Sequence, residues 1–308
     1  MAMLVETSTG RAIPLQAEHV VGRAPTCSLR LSHPCVSAQH AVLRWNGSRW
    51  EVKDLSSRNG TFVEDATIER GGARELRKGM RIAFGTALER WELTEDDRPC
   101  AMAMPIEGGD PVLVSGELLA VPSSDDPRVT IYRDLSGSWV LEQPDESAQT
   151  IKDAHVFESA GRWWRFCCPD DVAPPTLPHS STELLVRQLQ LSFAVSSDEE
   201  YVELRVSHEG RRIDMGVRAR NYLLLTLARR RVEDAREGAS EANCGWICQS
   251  DFPHDPIMAA PQLNLDVYRL RKQFAAAGVI DAHSIIERRP LTRELRIGTD
   301  RISIQTLG

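Results

Sequence analysis

No stretch of the 308-residue chain approaches eighteen consecutive apolar residues, about the length a membrane-crossing helix requires. The opening Met1-Ala-Met-Leu-Val-Glu-Thr7 is too short for the apolar region of a secretory signal. Both absences predict a cytoplasmic protein with no membrane partner. Catalytic signatures are missing as well. The chain has no Gly-x-Ser-x-Gly, no phosphate-binding Gly-Lys-Ser/Thr loop, no metal-spaced histidine pair and no kinase motif set. Asp125-Asp126 and Asp170-Asp171 sit in loop-like sequence and read as solvated turns. A non-enzyme is expected, without catalytic residues, metal ligands or cofactors.

Paired cysteine motifs are lacking too. Cys27, Cys35, Cys100, Cys167, Cys168, Cys244 and Cys248 form an odd set without a Cys-x-x-Cys unit. Cys244 and Cys248 are not followed by a second ligand pair at zinc spacing, so buried, reduced thiols are expected. Nor is there an excess of positive charge. The net charge of −7 argues against general nucleic-acid adhesion. From Ser181 onward there are 18 basic and 18 acidic residues, leaving 19 basic and 26 acidic before it (37 − 18 and 44 − 18). The deficit therefore lies in the first 180 residues, and any basic face beyond them is local.

What is present is organised around Asp54-Leu-Ser-Ser-Arg-Asn-Gly-Thr-Phe-Val63. It reads as a strand end, an Asn-Gly turn supplying positive φ, and a new strand from Thr61, the two strands being paired. Upstream lie Val21-Gly-Arg-Ala24 and Val36-Ser-Ala-Gln-His-Ala41. Gly-Arg, Ser-x-x-His and Asn-Gly-Thr, in that order, resemble the forkhead-associated (FHA) domain over about residues 1–95. The resemblance implies a β-sandwich that binds phosphothreonine. A phosphate carries close to two negative charges and several acceptor oxygens, so its reader needs a guanidinium fork and neutral donors. By resemblance, Arg23 and Ser37 hold the phosphate and Asn59 the peptide backbone, with Arg58 as a flanking charge. Gly22, His40 and Gly60 are architectural: His40 braces the Ser37 loop, and Gly22 allows a turn. Ala38 departs from the polar or basic residue common after the serine.

Short apolar runs at 18–21, 28–31, 41–45, 50–52, 61–63 and 81–84 read as sandwich strands, with 40–54 a hairpin. After a linker over about 94–105, residues 106–168 form a second β-rich module. Val129–Arg133 and Trp139–Glu142 flank an Asp-Leu-Ser-Gly-Ser turn. This module is either a degenerate copy of the first that has lost phosphate binding or an unrelated small β domain. The proline-rich segment 169–182 is a semi-rigid spacer.

In 183–308 the pattern changes to strands at 190–195, 201–206 and 211–215, a helix over 218–237 and a short helix within 250–258. A helix at 262–277 and a hairpin of 284–289 with 294–297 follow. In the last helix Leu263, Val267, Leu270, Phe274 and Ala277 form one buried stripe, ended by Gly278. Tyr268 and Lys272 fall opposite it, with Arg269 on one flank and Asn264 and Arg271 on the other. Residues 190–304 resemble the OmpR/PhoB-type winged-helix DNA-binding domain, apart from the prolines in the short helix and a hairpin without a glycine-rich turn. The fold class expected is thus multi-domain and mainly β with a C-terminal α+β part. The resemblance implies that Asn264, Tyr268, Arg269, Arg271, Lys272, Arg288, Arg289 and Arg293 face DNA. Gln262–Ile297 holds seven basic and four acidic residues, a modest local excess. The two resemblances imply a transcription regulator that binds a phosphothreonine protein and double-stranded DNA, served by a separate Ser/Thr kinase. The alternative is a phospho-dependent adaptor whose last domain docks protein.

Overall fold

The computed structural model describes residues 1–87, 89–144, 146–169, 184–252, 260–289 and 291–307. The chain divides into two compact units. The first comprises Met1–Met104, Asp153–His155 and Arg165–Val172, and the second Pro105–Lys152, Val156–Trp164 and Ala173–Gly308. Residues 106–168 are thus shared between the two units. The spacer expected at 169–182 lies almost wholly outside the described residues.

The first unit is a β-sandwich. One sheet runs, in spatial order, Ala12–Pro14, Met3–Glu6, Arg90–Glu95, Arg81–Phe84, Thr61–Val63 and Ala66–Thr67. The other runs Leu29–Arg30, Glu18–Gly22, Ala41–Trp45, Trp50–Asp54 and Ala73–Leu76. Alternation decides which side chains go inward. In Trp50–Asp54 the first, third and fifth residues are buried while Glu51 and Lys53 are half-exposed. Leu4, Val63, Ile82, Phe84 and Trp91 of one sheet share a core with Val21, Leu43, Trp50 and Val52 of the other. The hairpin expected over 40–54 is present, Ala41 facing Asp54 and Trp45 facing Trp50. The strands on either side of Asn59-Gly60 are not paired, however. Trp50–Asp54 pairs with Ala73–Leu76, and Thr61–Val63 pairs with Arg81–Phe84. Residues 55–60 thus cross from one sheet to the other.

In the second unit Leu118–Ser123, Asp126–Arg133, Trp139–Glu142 and Gln149–Ile151 form an antiparallel meander. The turn at 134–138 is built by Asp134, whose Oδ1 accepts from Ser136 N (2.9 Å) and Ser138 N (2.9 Å). Further along, Arg211–Val217, Val202–His208, Gln190–Val195 and Ile302–Thr306 make a four-stranded sheet, the last strand parallel to its neighbour. Two α-helices are found among the described residues, α1 at Asn221–Arg236 and α2 at Ala260–Ala276. Leu263, Val267, Leu270 and Phe274 of α2 enter the same core as Leu224 and Ala228 of α1. Gly278, at φ +89°, closes α2. Its N–H donates to Ala275 O (3.0 Å) and Val279 N–H to Phe274 O (3.1 Å), the two bonds of a glycine-terminated helix end. The hairpin of Ile286–Arg289 and Glu294–Ile297 forms as expected and gains Ile247–Cys248 as a third strand. Of the short helix expected in 250–258, Gln249–Asp251 is a single 3-10 turn and 253–259 lie outside the described residues.

One expectation about α2 is overturned. Tyr268 is 4% and Arg271 1% exposed, although both lie off the predicted apolar stripe. Asn264, Tyr268, Arg271 and Ala275 repeat the 4-3-4 spacing one residue later, so they form a second inward row beside the first. That row meets one face of the meander, where Leu118, Ala120, Tyr132 and Val140 cluster with Tyr268, and Ala275 packs against them. The cysteines also differ from expectation. Cys27 and Cys244 are buried, but the other five free thiols are only half-buried.

Candidate functional site

The site expected in the sandwich is assembled around the loop 35–37. Arg23 N–H donates to Ser37 O (2.9 Å), Arg58 N–H to Ser37 Oγ (3.1 Å) and Asn59 Nδ2 to Cys35 O (2.8 Å). Three segments far apart in sequence thereby place Arg23, Ser37, Arg58 and Asn59 together at one end of the sandwich. Arg23, Arg58 and Asn59 are exposed and Ser37 half-buried. Arg23 Nε donates to Val36 O (3.4 Å), which orients the guanidinium and leaves its terminal nitrogens open. Because Ser37 Oγ already accepts from Arg58, its own proton is free to point outward. Among the described residues no carboxylate forms an ion pair with Arg23 or Arg58. The arrangement offers a guanidinium fork, a hydroxyl donor and an amide to an anionic ligand.

The three residues expected to be architectural sit around this loop in different ways. His40 is wholly buried. Its Nδ1 lies 3.1 Å from Ser37 N and its Nε2 3.0 Å from Gly60 O. A backbone N–H needs an acceptor at Nδ1, so the ring is neutral with its proton on Nε2, donated to Gly60. Burial holds the His40 pKa below its ordinary value, against the opposing pull of the Gly60 carbonyl and Asp54. His40 thus ties the Ser37 loop to the Asn59-Gly60 loop. Gly60, at φ +86°, supplies the left-handed turn. Gly22 does not. Its φ is not positive, and what it provides is space, since a Cβ there would lie 2.3 Å from Ala38 O.

Sequence reasoning missed two contributors. Asp54 is wholly buried at the strand end. Its Oδ1 accepts from Ser57 Oγ (2.6 Å) and Thr61 Oγ1 (2.8 Å), and its Oδ2 from Ser57 N (3.0 Å). Burial would raise the carboxyl pKa, but these hydrogen bonds prevail and hold it below the usual range. Asp-x-x-Ser at a strand end, with a side chain able to close the turn, was the available signal. The second contributor is Arg70, exposed, whose Nη2 donates to Arg58 O (3.2 Å) and brings another guanidinium beside the loop. It lies beyond a further turn, and nothing in the local sequence places it there.

The eight C-terminal residues expected to face DNA are divided. Arg269, Lys272 and Arg293 are exposed, and Asn264, Arg288 and Arg289 are half-buried. Tyr268 and Arg271 are covered. Arg271 grips Glu142 of the meander with both terminal nitrogens, Nη1–Oε1 at 2.8 Å and Nη2–Oε2 at 3.1 Å. Arg288 Nε lies 3.2 Å from the same Oε1, and Arg288 Nη2 donates to Asn264 Oδ1 (3.0 Å). Burial would push the Glu142 carboxyl up, yet the two guanidinium groups outweigh it and hold it ionised, below the ordinary range. Arg289 and Arg296 stack on Trp246, at 4.0 and 4.5 Å from the ring centroid. Lys272 Nζ lies 6.0 Å over the Tyr268 ring, and Arg269 is 3.9 Å from Asp125.

Comparison with known proteins bears on the first unit. The family model for the FHA domain matches residues 19–85. The chain is 41% identical over 92 residues to the FHA domain-containing protein FhaB of Mycobacterium tuberculosis, covering 30% of this chain and 54% of that protein. It is 41% identical over 76 residues to FHA domain-containing protein PS1 of Arabidopsis thaliana, covering 24% of this chain and 5% of that one. The chain thus spans about half of the first relative and a small part of the second. Among solved structures, Mycobacterium tuberculosis EmbR in complex with a low-affinity phosphopeptide matches at 30% identity and a TM-score of 0.28. That match covers 30% of this chain and 23% of EmbR. The N-terminal part of the chain is an FHA domain. Among the described residues no helix is long and apolar enough to cross a membrane.

Proposed function

We propose that this chain is a phosphothreonine-dependent regulator rather than an enzyme. Its FHA domain binds a phosphorylated protein segment through Arg23 and Ser37, with Asn59 on the peptide backbone and Arg58 as a flanking charge. The observation that carries the reading is the convergence of these four side chains on the 35–37 loop, with the guanidinium of Arg23 oriented and unneutralised. Charge-assisted, forked contacts are the ones that discriminate a phosphate from a hydroxyl. The phosphate on the partner is supplied by a separate Ser/Thr protein kinase. Calorimetry on the full chain, with matched threonine and phosphothreonine peptides, is the test. Binding only of the phosphorylated form supports the reading, and equal binding of both removes it.

For the C-terminal part we infer a winged-helix output domain that binds double-stranded DNA, with α2 as the reading helix and the 286–297 hairpin as the wing. Support comes from the order of strands, helix, helix and hairpin, and from Arg269, Lys272 and Arg293 remaining exposed. An adaptor role, with this domain docking protein, is favoured by one observation: Arg271 and Arg288 already hold a carboxylate of the meander. Mobility shift with duplex DNA separates the two, since the adaptor reading allows no binding at moderate salt.

A further inference from the structure

The sheet that covers α2 has an unusual combination of properties. Its register puts Leu118, Ala120, Tyr132, Val140 and Glu142 on one face, opposite one another along the strands. That face presents an apolar patch with the anionic Glu142, which Arg271 grips with both terminal nitrogens and Arg288 approaches with Nε at 3.2 Å. A bidentate grip on two oxygens is also how arginine takes a backbone phosphate. At the edge Asp125 faces Arg269 at 3.9 Å. The charge on the sheet is therefore of the sign that DNA would bring.

The contact is open to solvent at one margin. At this margin, beside the C-terminal half of α2, an open groove of about 500 Å³ is lined by Leu118, Leu135, Ala275, Val279 and Ile280 among others. A buried ion pair is also seldom more stabilising than an apolar pair of the same volume, because both charges must be desolvated. An apolar patch held by a desolvated ion pair, with a solvent-open groove at its margin, is suited to a surface that must also separate.

We propose that the Leu118–Glu142 face of the meander is an intramolecular cover for the DNA-reading face of α2 and its hairpin, Glu142 occupying the place of a backbone phosphate. DNA and the cover compete for Arg271 and Arg288, so the covered chain is the weak-binding state. This rests on the reading of the C-terminal domain as DNA-binding.

The test uses the full chain, a pool of random-sequence duplex DNA and fluorescence anisotropy over a salt series. Two variants loosen the cover by different means. Glu142→Gln leaves both arginines in place but removes the charge that holds them. Ala120→Trp wedges the contact from the sheet side and leaves the ion pair chemistry untouched. Both variants are expected to bind DNA at least about tenfold more tightly than the native chain. Their salt dependence should steepen by about 0.9 in log–log slope for each arginine freed to a phosphate. Native chain that binds as tightly as both variants overturns the cover and leaves the DNA reading intact. Folded variants that, like the native chain, bind no DNA overturn the DNA reading itself. If both variants lose the cooperative melt of the second unit, the sheet is part of its core and the cover is likewise refuted.

Discussion

His40→Ala is the substitution that most directly probes how the phosphate site is held. The side chain touches no ligand-facing group except through the loop it braces. Its removal leaves Ser37 N–H without its acceptor at 3.1 Å, and Gly60 O without one of its donors. Gly60 O keeps the N–H of Gly85 at 2.9 Å, so that loss is the milder one. An unsatisfied buried N–H costs about 1–3 kcal/mol, and a replaced neutral bond about 0.5–1.5. The vacated ring, packed edge-on to Phe84 with centroids 5.9 Å apart, leaves a cavity worth about 1–2 kcal/mol more. The sum is about 2.5–6.5 kcal/mol of unfolding free energy, read from urea denaturation monitored by tryptophan fluorescence. Arg23, Ser37, Arg58 and Asn59 are all retained, yet phosphopeptide affinity should fall about tenfold because the Ser37 loop is no longer tied to the Asn59 loop. His40→Gln, which can both donate and accept, should recover part of each loss. A destabilisation below about 1 kcal/mol, or an unchanged affinity, refutes the bracing role.

Gly22→Ala should destabilise the sandwich by about 1–3 kcal/mol, because its Cβ meets backbone oxygen Ala38 O at 2.3 Å and backbone cannot swing aside. Thermal melting checks it, and a neutral result would show the loop to be pliable. His19, buried, is pushed down to about 4, while an unfolded chain keeps its histidine near 6.5. The folded state then binds fewer protons between those values. Stability is therefore full above about pH 6.5 and falls as pH drops to about 4, by about 3 kcal/mol in all. Urea midpoints across that window, compared with His19→Phe, measure it; parallel curves contradict it. Asp54 is depressed, so its contribution is present above the unfolded carboxylate range and lost as pH falls through its lower folded value. Asp54→Asn should remove that acid limb and loosen the 55–60 crossing, seen as faster amide exchange at Ser57 and Gly60.

The FHA domain was legible because its motifs are local and chemically loaded. Gly-Arg, Ser-x-x-His and Asn-Gly-Thr each specify a backbone conformation or a donor, and their order left little choice. The crossing at 55–60 was not legible, since a turn sequence says how the chain bends but not which strand receives it. Leu118–Ser123 escaped notice because Leu-Leu-Ala-Val-Pro-Ser is continuously apolar, without the alternation that marks a half-buried strand. Its two faces are both covered, which explains the pattern. In α2 the row of Asn264, Tyr268, Arg271 and Ala275 has helical spacing as regular as the apolar row beside it. Its polar members concealed it, because arginine and asparagine are buried only when a partner elsewhere in the chain satisfies them. Glu142 is that partner, 129 residues away. The strand Ile302–Thr306 pairs in parallel with Gln190–Val195, a non-local contact that no window of sequence contains.

The central claim is that Arg23 and the loop it leans on form a phosphate site. Calorimetry with the tightest phosphothreonine peptide from an oriented library, on native chain and on Arg23→Ala, tests it most directly. Loss of a forked, charge-assisted contact should weaken binding by about 2–5 kcal/mol while the melting curve is unchanged, since Arg23 is exposed. Equal affinity of the two proteins for that peptide would contradict the assignment.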